Sequence, residues 1–322
     1  MKYALLVLTL LALTVALTVA PAVASVPDDL QNVSVTIKSG NAQGSGNLVT
    51  RKVGEDTLTF IWTAAHVVEN LRTTRTVVTA QGTPRILVEY RDAEIVQERQ
   101  QNGRRVGEVK FDCKVVKVSD ADYGEDLALL MVRCKNVYPL SISTKFHLEP
   151  NYIPPIGVEL AHCGSLLGQF GANSYTTGVL SQTGRTLPMK GASVKVFDQV
   201  TAVAFPGSSG GGMYLKADGI YIGMLTQGVM KLQGFNFIVP VRRIHEWAKV
   251  SKIEWAIDPA AAMPTLNEID AIPVEDAGQS PGGYPQRNPA GGPDEGNPAF
   301  KPPFDFNDAI QWVEKFARSF AS

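Results

Sequence analysis

The chain has 322 residues, of which 44% are hydrophobic and 19% charged, with a formal net charge of -1. This length allows one large hydrophobic core or two small ones. The near-neutral balance lacks the basic stripe typical of nucleic-acid-binding proteins, so we expect no nucleic acid partner.

The N-terminal segment, residues 1–24, has the features of an export signal. Lys2 is followed by an uncharged apolar stretch and then by Ala22-Val23-Ala24, which matches a signal-peptidase site. The same stretch is long enough to be a retained membrane anchor, because about 20 apolar residues span a bilayer. Both interpretations place the rest of the chain outside the cytoplasm, as a secreted, periplasmic or membrane-anchored protein.

The central part of the chain consists of two sets of short β-branched runs separated by turn residues, which is typical of all-β proteins. Two sets of about six strands, near residues 31–140 and 150–240, predict two small β-barrels. Asn102-Gly103 predicts the turn of a protruding charged hairpin over 92–108. The predicted strands are 33–37, 58–62, 74–79, 86–90, 109–118 and 127–132 in the first set, and 158–162, 175–181, 194–204, 219–226 and 235–239 in the second.

The C-terminal part predicts three segments. Pro240 suits the first turn of a helix over 241–252, whose apolar residues share one face. Residues 258–303 hold ten of the 20 prolines and predict a Pro/Gly-rich linker without a core. Residues 304–322 predict a short amphipathic helix, which either docks on the body or contacts a membrane or a partner protein.

The chain has three cysteines, Cys113, Cys134 and Cys163. The midpoint of the first two falls beside Gly124 in a turn-like segment, so a symmetric hairpin places Cys113 opposite Cys134. A disulfide bridges such a pair readily, whereas the alternative is two free, buried cysteines. Cys163 is then left as a packed thiol.

Three motifs carry a histidine, an aspartate and a serine in that order. Taken singly, each is an ordinary loop or turn sequence. A serine hydroxyl is a poor nucleophile at neutral pH and needs a neighbouring base, which a histidine supplies. The motifs are Thr63-Ala64-Ala65-His66, Glu125-Asp126-Leu127 and Gly207-Ser208-Ser209-Gly210-Gly211.

With their flanks, these motifs resemble the chymotrypsin-like serine peptidases, most closely the HtrA/Deg branch, over about residues 33–250. Gly44-Ser45-Gly46 and the stretches 223–228 and 234–240 are also similar to that branch. The resemblance implies an all-β, chymotrypsin-like double β-barrel with a C-terminal helix and a peptidase domain at 25–257. It implies a serine endopeptidase that cleaves proteins or peptides. HtrA enzymes continue into a PDZ domain, for which the Pro/Gly-rich tail leaves no room.

The resemblance also assigns roles to single residues. His66 is the general base, Asp126 orients its ring, and Ser209 is the nucleophile. The backbone N–H groups of Gly207 and Ser209 form the oxyanion hole. Digestive relatives carry an acidic residue just before the serine, which pairs with a newly cut N-terminus. Here that residue is Ser208, so we expect this activation switch to be absent.

By the same resemblance, a substrate pocket is lined by uncharged residues, which favours an apolar P1 side chain. The histidines and cysteines lack metal-ligand spacing, so we expect no metal and no cofactor. The alternative function is a catalytically silent binding or scaffold protein on a protease fold. The predicted pocket residues are Val203, Ala204, Thr226, Gly228 and Gly234.

Overall fold

The computed structural model describes residues 25–276 apart from 102–103, 189–193 and 229–233. The predicted export segment 1–24, the turn Asn102-Gly103 and the predicted tail helix 304–322 therefore lie outside the described residues. Among the helices that are described, none is long and apolar enough to cross a membrane.

The secondary structure is dominated by antiparallel strands, with a few short helices. In chain order the elements are α1 (Val26–Val33), β1 (Ser34–Ser39), β2 (Ala42–Val53), β3 (Asp56–Thr63), α2 (Ala65–Val68), β4 (Arg72–Val78), β5 (Pro84–Tyr90), β6 (Ala93–Gln101), β7 (Arg104–Ser119), β8 (Leu127–Val132), β9 (Glu159–Leu166), β10 (Gly171–Pro188), β11 (Val194–Val200), β12 (Gly212–Leu215), β13 (Tyr221–Gly228), β14 (Asn236–Pro240), α3 (Val241–Val250) and α4 (Leu266–Asp270). Short 3₁₀ turns occupy Glu69–Leu71, Gly168–Phe170 and Glu254–Ala256.

The first barrel closes in the strand order β1-β2-β3-β8-β7-β6. All neighbouring strands are antiparallel. Every residue of β8 is buried, which explains why its sequence is an unbroken apolar run and not an alternating one. The structure thus confirms the first of the two predicted barrels.

Two runs that were predicted as strands of the first set do not belong to the barrel. β4 and β5 pair with each other as a separate two-stranded sheet, and most of their side chains are exposed. β2 and β6 complete the barrel instead. The prediction of a protruding hairpin over 92–108 was therefore wrong at its base, where Ile95 and Val96 are buried and pair with β1. Because charged residues flank this short apolar pair, the sequence did not indicate a barrel strand there.

The second barrel closes in the order β10-β11-β14-β13-β12-β9, which confirms the other predicted barrel. Its interior holds a separate apolar cluster that includes Leu160, Leu180 and Ile222. β12 was not predicted, because it has four residues and directly follows the glycine-rich serine motif.

α3 packs where the two barrels meet. It begins after Pro240, as predicted, and ends at Val250 instead of 252. Trp247 on this helix contacts Trp62 of β3 edge-on, with ring centroids 5.8 Å apart. The Trp62 indole N–H also donates to the Ala256 carbonyl at 3.0 Å. The helix and the turn after it therefore fix the second barrel against the first.

The predicted linker starts later than its composition indicated. Residues 258–276 pack on the body, so the prediction of an unpacked segment was wrong there. Thr265 and Glu268 form a capping box that begins α4, and Ile269 is 2% exposed. Glu275 accepts hydrogen bonds from Arg72 and Tyr90. The many prolines of the whole stretch obscured this anchored first part.

The predicted disulfide between Cys113 and Cys134 is absent, because both thiols are free. A β-bulge between Val115 and Lys117 shifts the hairpin register, so that Cys113 lies opposite Val132. Cys134 then falls beyond the end of β8 and is exposed, whereas Cys113 is buried. The predicted pairing was wrong by two residues: the hairpin is centred at Tyr123, as the pairing of Ser119 with Leu127 shows, and the bulge adds one extra residue on β7.

Candidate active site

His66 lies just after the end of β3, in the first turn of α2. Its neighbours Ala65 and Val67 are buried and pack the short helix against the barrel. The side chain of His66 is 35% exposed, so its ring remains accessible to a ligand.

Asp126 approaches His66 from the loop before β8. Nδ1 of His66 lies 3.0 Å from each carboxylate oxygen of Asp126, and the backbone N–H of His66 donates to Oδ1 at 3.1 Å. The hydroxyl of Thr226, on β13 of the second barrel, donates to Oδ2. Asp126 is 5% exposed, and its carboxylate is held by groups from both barrels.

The pKa of His66 reflects both burial and Asp126. Burial lowers this pKa, but the charge and hydrogen bond of Asp126, with the charge of Glu69, together raise it more, so that it lies above the ordinary 6.5. An ionised carboxylate only accepts hydrogen bonds, so Nδ1 carries the proton of the neutral ring. Nε2 is then left as the proton acceptor.

Ser209 is linked to the same site through Thr226. The Ser209 hydroxyl donates to the backbone carbonyl of Thr226 at 3.1 Å. Thr226 thus contacts Ser209 through its carbonyl and Asp126 through its hydroxyl. In the described part of the chain, the Ser209 hydroxyl makes no hydrogen bond to the His66 ring.

The four residues before Ser209 form a tight turn. The Ser208 N–H donates to the Phe205 carbonyl at 2.9 Å, and Gly207 follows Pro206 with a φ of +95°. Proline followed by a positive-φ glycine is typical of a type II turn. A Cβ at Gly207 would lie 2.6 Å from the Ser165 carbonyl oxygen. Both the backbone conformation and the available space therefore require glycine.

The side chain of Ser208 closes this turn on itself. Its hydroxyl accepts the Phe205 N–H at 2.8 Å and donates to the Phe205 carbonyl at 2.6 Å. Ser208 is fully buried, so these bonds are shielded from water. The Ser208 side chain thus stabilises the turn from within.

The Gly207 N–H has a defined direction. The Pro206 carbonyl accepts the Leu167 N–H at 2.8 Å, and the described residues contain no cis peptide. In a trans peptide the C=O and N–H point to opposite sides, so the Gly207 N–H points away from Leu167. Within the described residues, neither it nor the Ser209 N–H has a protein acceptor. Two free donors therefore remain beside the Ser209 hydroxyl.

Of the residues predicted to line a substrate pocket, Val203 and Ala204 lie in the loop between β11 and β12 and are half-buried. The Thr176 hydroxyl donates to the Val203 carbonyl at 3.0 Å. The Asn236 amide donates to the Ala202 carbonyl at 2.7 Å and ties this loop to β14.

The remaining predicted pocket residues differ in what they supply. Thr226 is buried and its hydroxyl is bound to Asp126, so its side chain serves that carboxylate. Gly228 ends β13, and Gly234 precedes β14 with a φ of +77°. Residues 229–233 between them lie outside the described chain.

Asn47 of β2 was missed by the sequence reasoning. Its amide nitrogen donates to the Gly210 carbonyl at 2.8 Å, and its oxygen accepts the Tyr214 hydroxyl at 2.8 Å. Its partner Gly210 is 163 residues away, so no local pattern marks this contact.

No protein-family model matches the chain, and no curated protein matches it by sequence. The fold is a chymotrypsin-like double β-barrel, and similar solved structures share it. The serine endoprotease from Yersinia pestis is 19% identical with a TM-score of 0.48, and the match covers 71% of this chain and 65% of that enzyme. The chain thus spans less than two thirds of that enzyme's length.

Two further structures are similar to a comparable degree. An inactive mutant form of Rv3671c from M. tuberculosis H37Rv is 18% identical with a TM-score of 0.48, over 73% of this chain and 92% of that one. Deg5 is 19% identical with a TM-score of 0.47, over 69% of this chain and 89% of that one.

Proposed function

We propose that this chain is a serine endopeptidase in which Ser209 is the nucleophile, His66 the general base and Asp126 the residue that orients His66. The observation that carries this proposal is the contact of one carboxylate with both barrels. Asp126 holds Nδ1 of His66 at 3.0 Å and also accepts the Thr226 hydroxyl, while the Thr226 carbonyl accepts Ser209.

The first chemical step forms a tetrahedral intermediate, whose collapse leaves an acyl-enzyme. The Ser209 hydroxyl turns from the Thr226 carbonyl to Nε2 of His66, which takes its proton as Oγ attacks the substrate carbonyl carbon. The carbonyl π electrons move to the oxygen, and the N–H groups of Gly207 and Ser209 donate to the resulting oxyanion. The charge of Asp126 stabilises the imidazolium.

The second step releases the products. The tetrahedral intermediate collapses, the C–N bond breaks, and His66 gives its proton to the leaving amine. A water molecule then gives a proton to His66 and attacks the acyl carbon. Collapse of this second intermediate returns the proton to Ser209 and frees the new carboxyl end.

The substrates in this proposal are proteins or peptides with an apolar P1 side chain. The support is the uncharged sequence at 203–206 and 226–228, since a charged P1 group needs a counter-charge to replace its hydration. The apolar N-terminal segment 1–24 supports a reaction outside the cytoplasm, because it has the pattern of an export signal or a membrane anchor.

Labelling with a fluorophosphonate probe tests the proposal. The parent protein should be labelled, Ser209→Ala should not, and Ser141→Ala, which removes an exposed serine, should be labelled like the parent. Cleavage of a peptide library should follow the same pattern and favour apolar P1 residues. A folded parent that resists labelling contradicts the proposal and favours a catalytically silent scaffold.

A further inference from the structure

Ser45 of β2 reaches from the first barrel to the serine loop of the second. Its backbone N–H donates to the Ser209 carbonyl at 2.7 Å, and its hydroxyl donates to the Gly207 carbonyl at 2.7 Å. Ser45 itself is fully buried, and its partners Gly207 and Ser209 are half-buried.

The direction of the Ser45 hydroxyl is settled by a third contact. Oγ accepts the backbone N–H of Ser165 at 2.7 Å, which occupies it as an acceptor. A hydroxyl has one proton, so this proton is directed to the Gly207 carbonyl. The Ser45 carbonyl in turn accepts the Thr63 hydroxyl at 2.7 Å, which fixes its backbone.

These contacts alternate with the groups that face the substrate. Of the four peptide groups between Pro206 and Gly210, the first and third carry the free N–H groups of Gly207 and Ser209. The second and fourth carry the two carbonyls that Ser45 holds. Holding every second peptide plane restricts rotation of the planes between them.

The glycines that flank Ser45 allow β2 to approach this closely. A Cβ at Gly44 would lie 3.1 Å from the Ser209 carbonyl oxygen and 2.5 Å from the Val67 side chain, and one at Gly46 would lie 2.5 Å from the Ile61 side chain of the first barrel. The motif Gly44-Ser45-Gly46 therefore combines close backbone approach with a single hydroxyl.

We propose that Ser45 is a positioning residue for the oxyanion hole, an inference that rests on the proposed function. Ser45 orients the loop so that the N–H groups of Gly207 and Ser209 stay directed at the reacting carbonyl. Without its hydroxyl, the Gly207 carbonyl and the Ser165 N–H lose a buried partner. The Gly207–Ser208 peptide is then held only through the Ser208 N–H, which donates to the Phe205 carbonyl, so its rotation moves the adjacent Gly207 N–H out of place.

The test compares Ser45→Ala with Thr36→Val in the full chain. Thr36 is a matched control, because its hydroxyl is 1% exposed and bonds the Ser165 hydroxyl at 2.6 Å without touching the serine loop. For Ser45→Ala we expect kcat to fall roughly ten- to a hundredfold, less than the hundred- to thousandfold for deleting a donor. KM should stay within about twofold. Thr36→Val should keep the parental kcat.

Inhibitor binding separates positioning from a general loss of stability. A peptide boronate forms a tetrahedral adduct with Ser209, so its affinity should fall with kcat in Ser45→Ala. A product peptide of the same sequence should bind to Ser45→Ala as tightly as it binds to the parent protein. Ser45→Cys keeps a weaker hydrogen-bond donor, so its kcat and boronate affinity should lie between those of the parent and of Ser45→Ala. This variant still tests the inference if Ser45→Ala folds poorly.

Parental kcat and boronate affinity in folded Ser45→Ala would overturn this inference alone, provided that the parent is labelled by fluorophosphonate. An equal loss in Thr36→Val would also overturn it, because the effect would then follow from weaker packing between the barrels. A folded parent that is not labelled would overturn the proposed function and this inference together.

Discussion

Asp126 combines an unusual backbone with a central position in the candidate site. Its φ of +56° is uncommon for a residue other than glycine, although aspartate tolerates this region better than most. Its backbone N–H donates to the Asp120 carbonyl at 3.3 Å, and its carboxylate contacts His66 and Thr226. An unfavourable backbone conformation persists only where surrounding contacts stabilise it, and such residues are concentrated at functional sites.

Replacement of Asp126 by asparagine should leave the fold intact and reduce kcat by up to about 10⁴-fold, because the neutral amide no longer enforces the productive His66 tautomer. Peptide hydrolysis and melting temperature measure the two effects. Glu159→Gln changes a 69% exposed carboxylate and should leave kcat unchanged. Near-parental hydrolysis by Asp126→Asn would contradict the assigned role.

The raised pKa of His66 predicts how kcat/KM falls at low pH. The proposed base must be neutral, so kcat/KM should rise with pH and reach half its plateau above 6.5. Asp126→Asn removes the charge that raises this pKa and should move the midpoint to lower pH. Hydrolysis of a peptide ester between about pH 4 and 9 measures both midpoints. A midpoint that Asp126→Asn does not move would argue against this coupling.

Gly207→Ala should abolish most activity. Alanine disfavours the φ of +95° at this position, and its methyl group would collide with the Ser165 carbonyl oxygen. The turn must therefore change its conformation, which displaces the Gly207 N–H from the oxyanion hole. We expect kcat to fall by about 10²-fold or more. Gly184→Ala imposes a similar φ of +70° with no atom within 4 Å, and it should cost about 1 kcal/mol or more of stability without affecting kcat. Equal kcat values in the two variants would contradict the prediction.

At the scale of elements, the loop before β8 is fastened to the second barrel by charge. Glu125 accepts two hydrogen bonds from Arg243 of α3, at 2.9 and 2.6 Å, and one from Lys195 of β11. Burial raises the pKa of Glu125, but the two cations outweigh burial and lower it below its ordinary value. The charged carboxylate therefore links α3 and β11 to the residue next to Asp126.

The register of the β7–β8 hairpin predicts the reactivity of the cysteines. Cys134 is exposed, whereas Cys113 and Cys163 are buried, and burial raises the pKa of Cys163 to about 12. A thiol reagent should therefore add one label to the native protein and three after unfolding without reductant. Intact mass spectrometry measures both values. A single label after unfolding would instead reveal a disulfide.

At the scale of the whole molecule, a C-terminal strap joins the first barrel to α3. The Val118 N–H donates to the Val274 carbonyl at 2.7 Å. Asp276 pairs with Lys117 of β7 at 2.9 Å and accepts the Trp247 indole N–H of α3 at 2.9 Å. The strap, residues 258–276, thus covers one side of the double barrel.

Truncation separates the strap from the rest of the tail. A chain that ends at 276 should keep the parental melting temperature and activity. A chain that ends at 257 loses the buried Ile269, which alone is worth about 2–5 kcal/mol, and should melt at least roughly 5 °C lower. Thermal unfolding of both chains checks this. Equal melting temperatures would show that the strap adds no stability.

Much of the fold could be predicted from the sequence. The apolar run 127–132 and the turn residues around it are local signals, so the strands and the two barrels were recognisable. His66, Asp126 and Ser209 were identified as candidates because each lies in a short motif. β6 and β12 were harder to predict, since the buried residues of β6 are interspersed with charged ones and β12 is only four residues long.

The sequence by itself determined which residues carry reactive groups and which segments form strands, because both depend on neighbours along the chain. Only the tertiary structure decided the register of Cys113, the packing of 258–276 and the contacts of Ser45 and Thr226. The bond from Ser45 to Gly207 joins residues 162 positions apart. Such a contact exists only after two barrels have closed and packed together, so no local pattern encodes it.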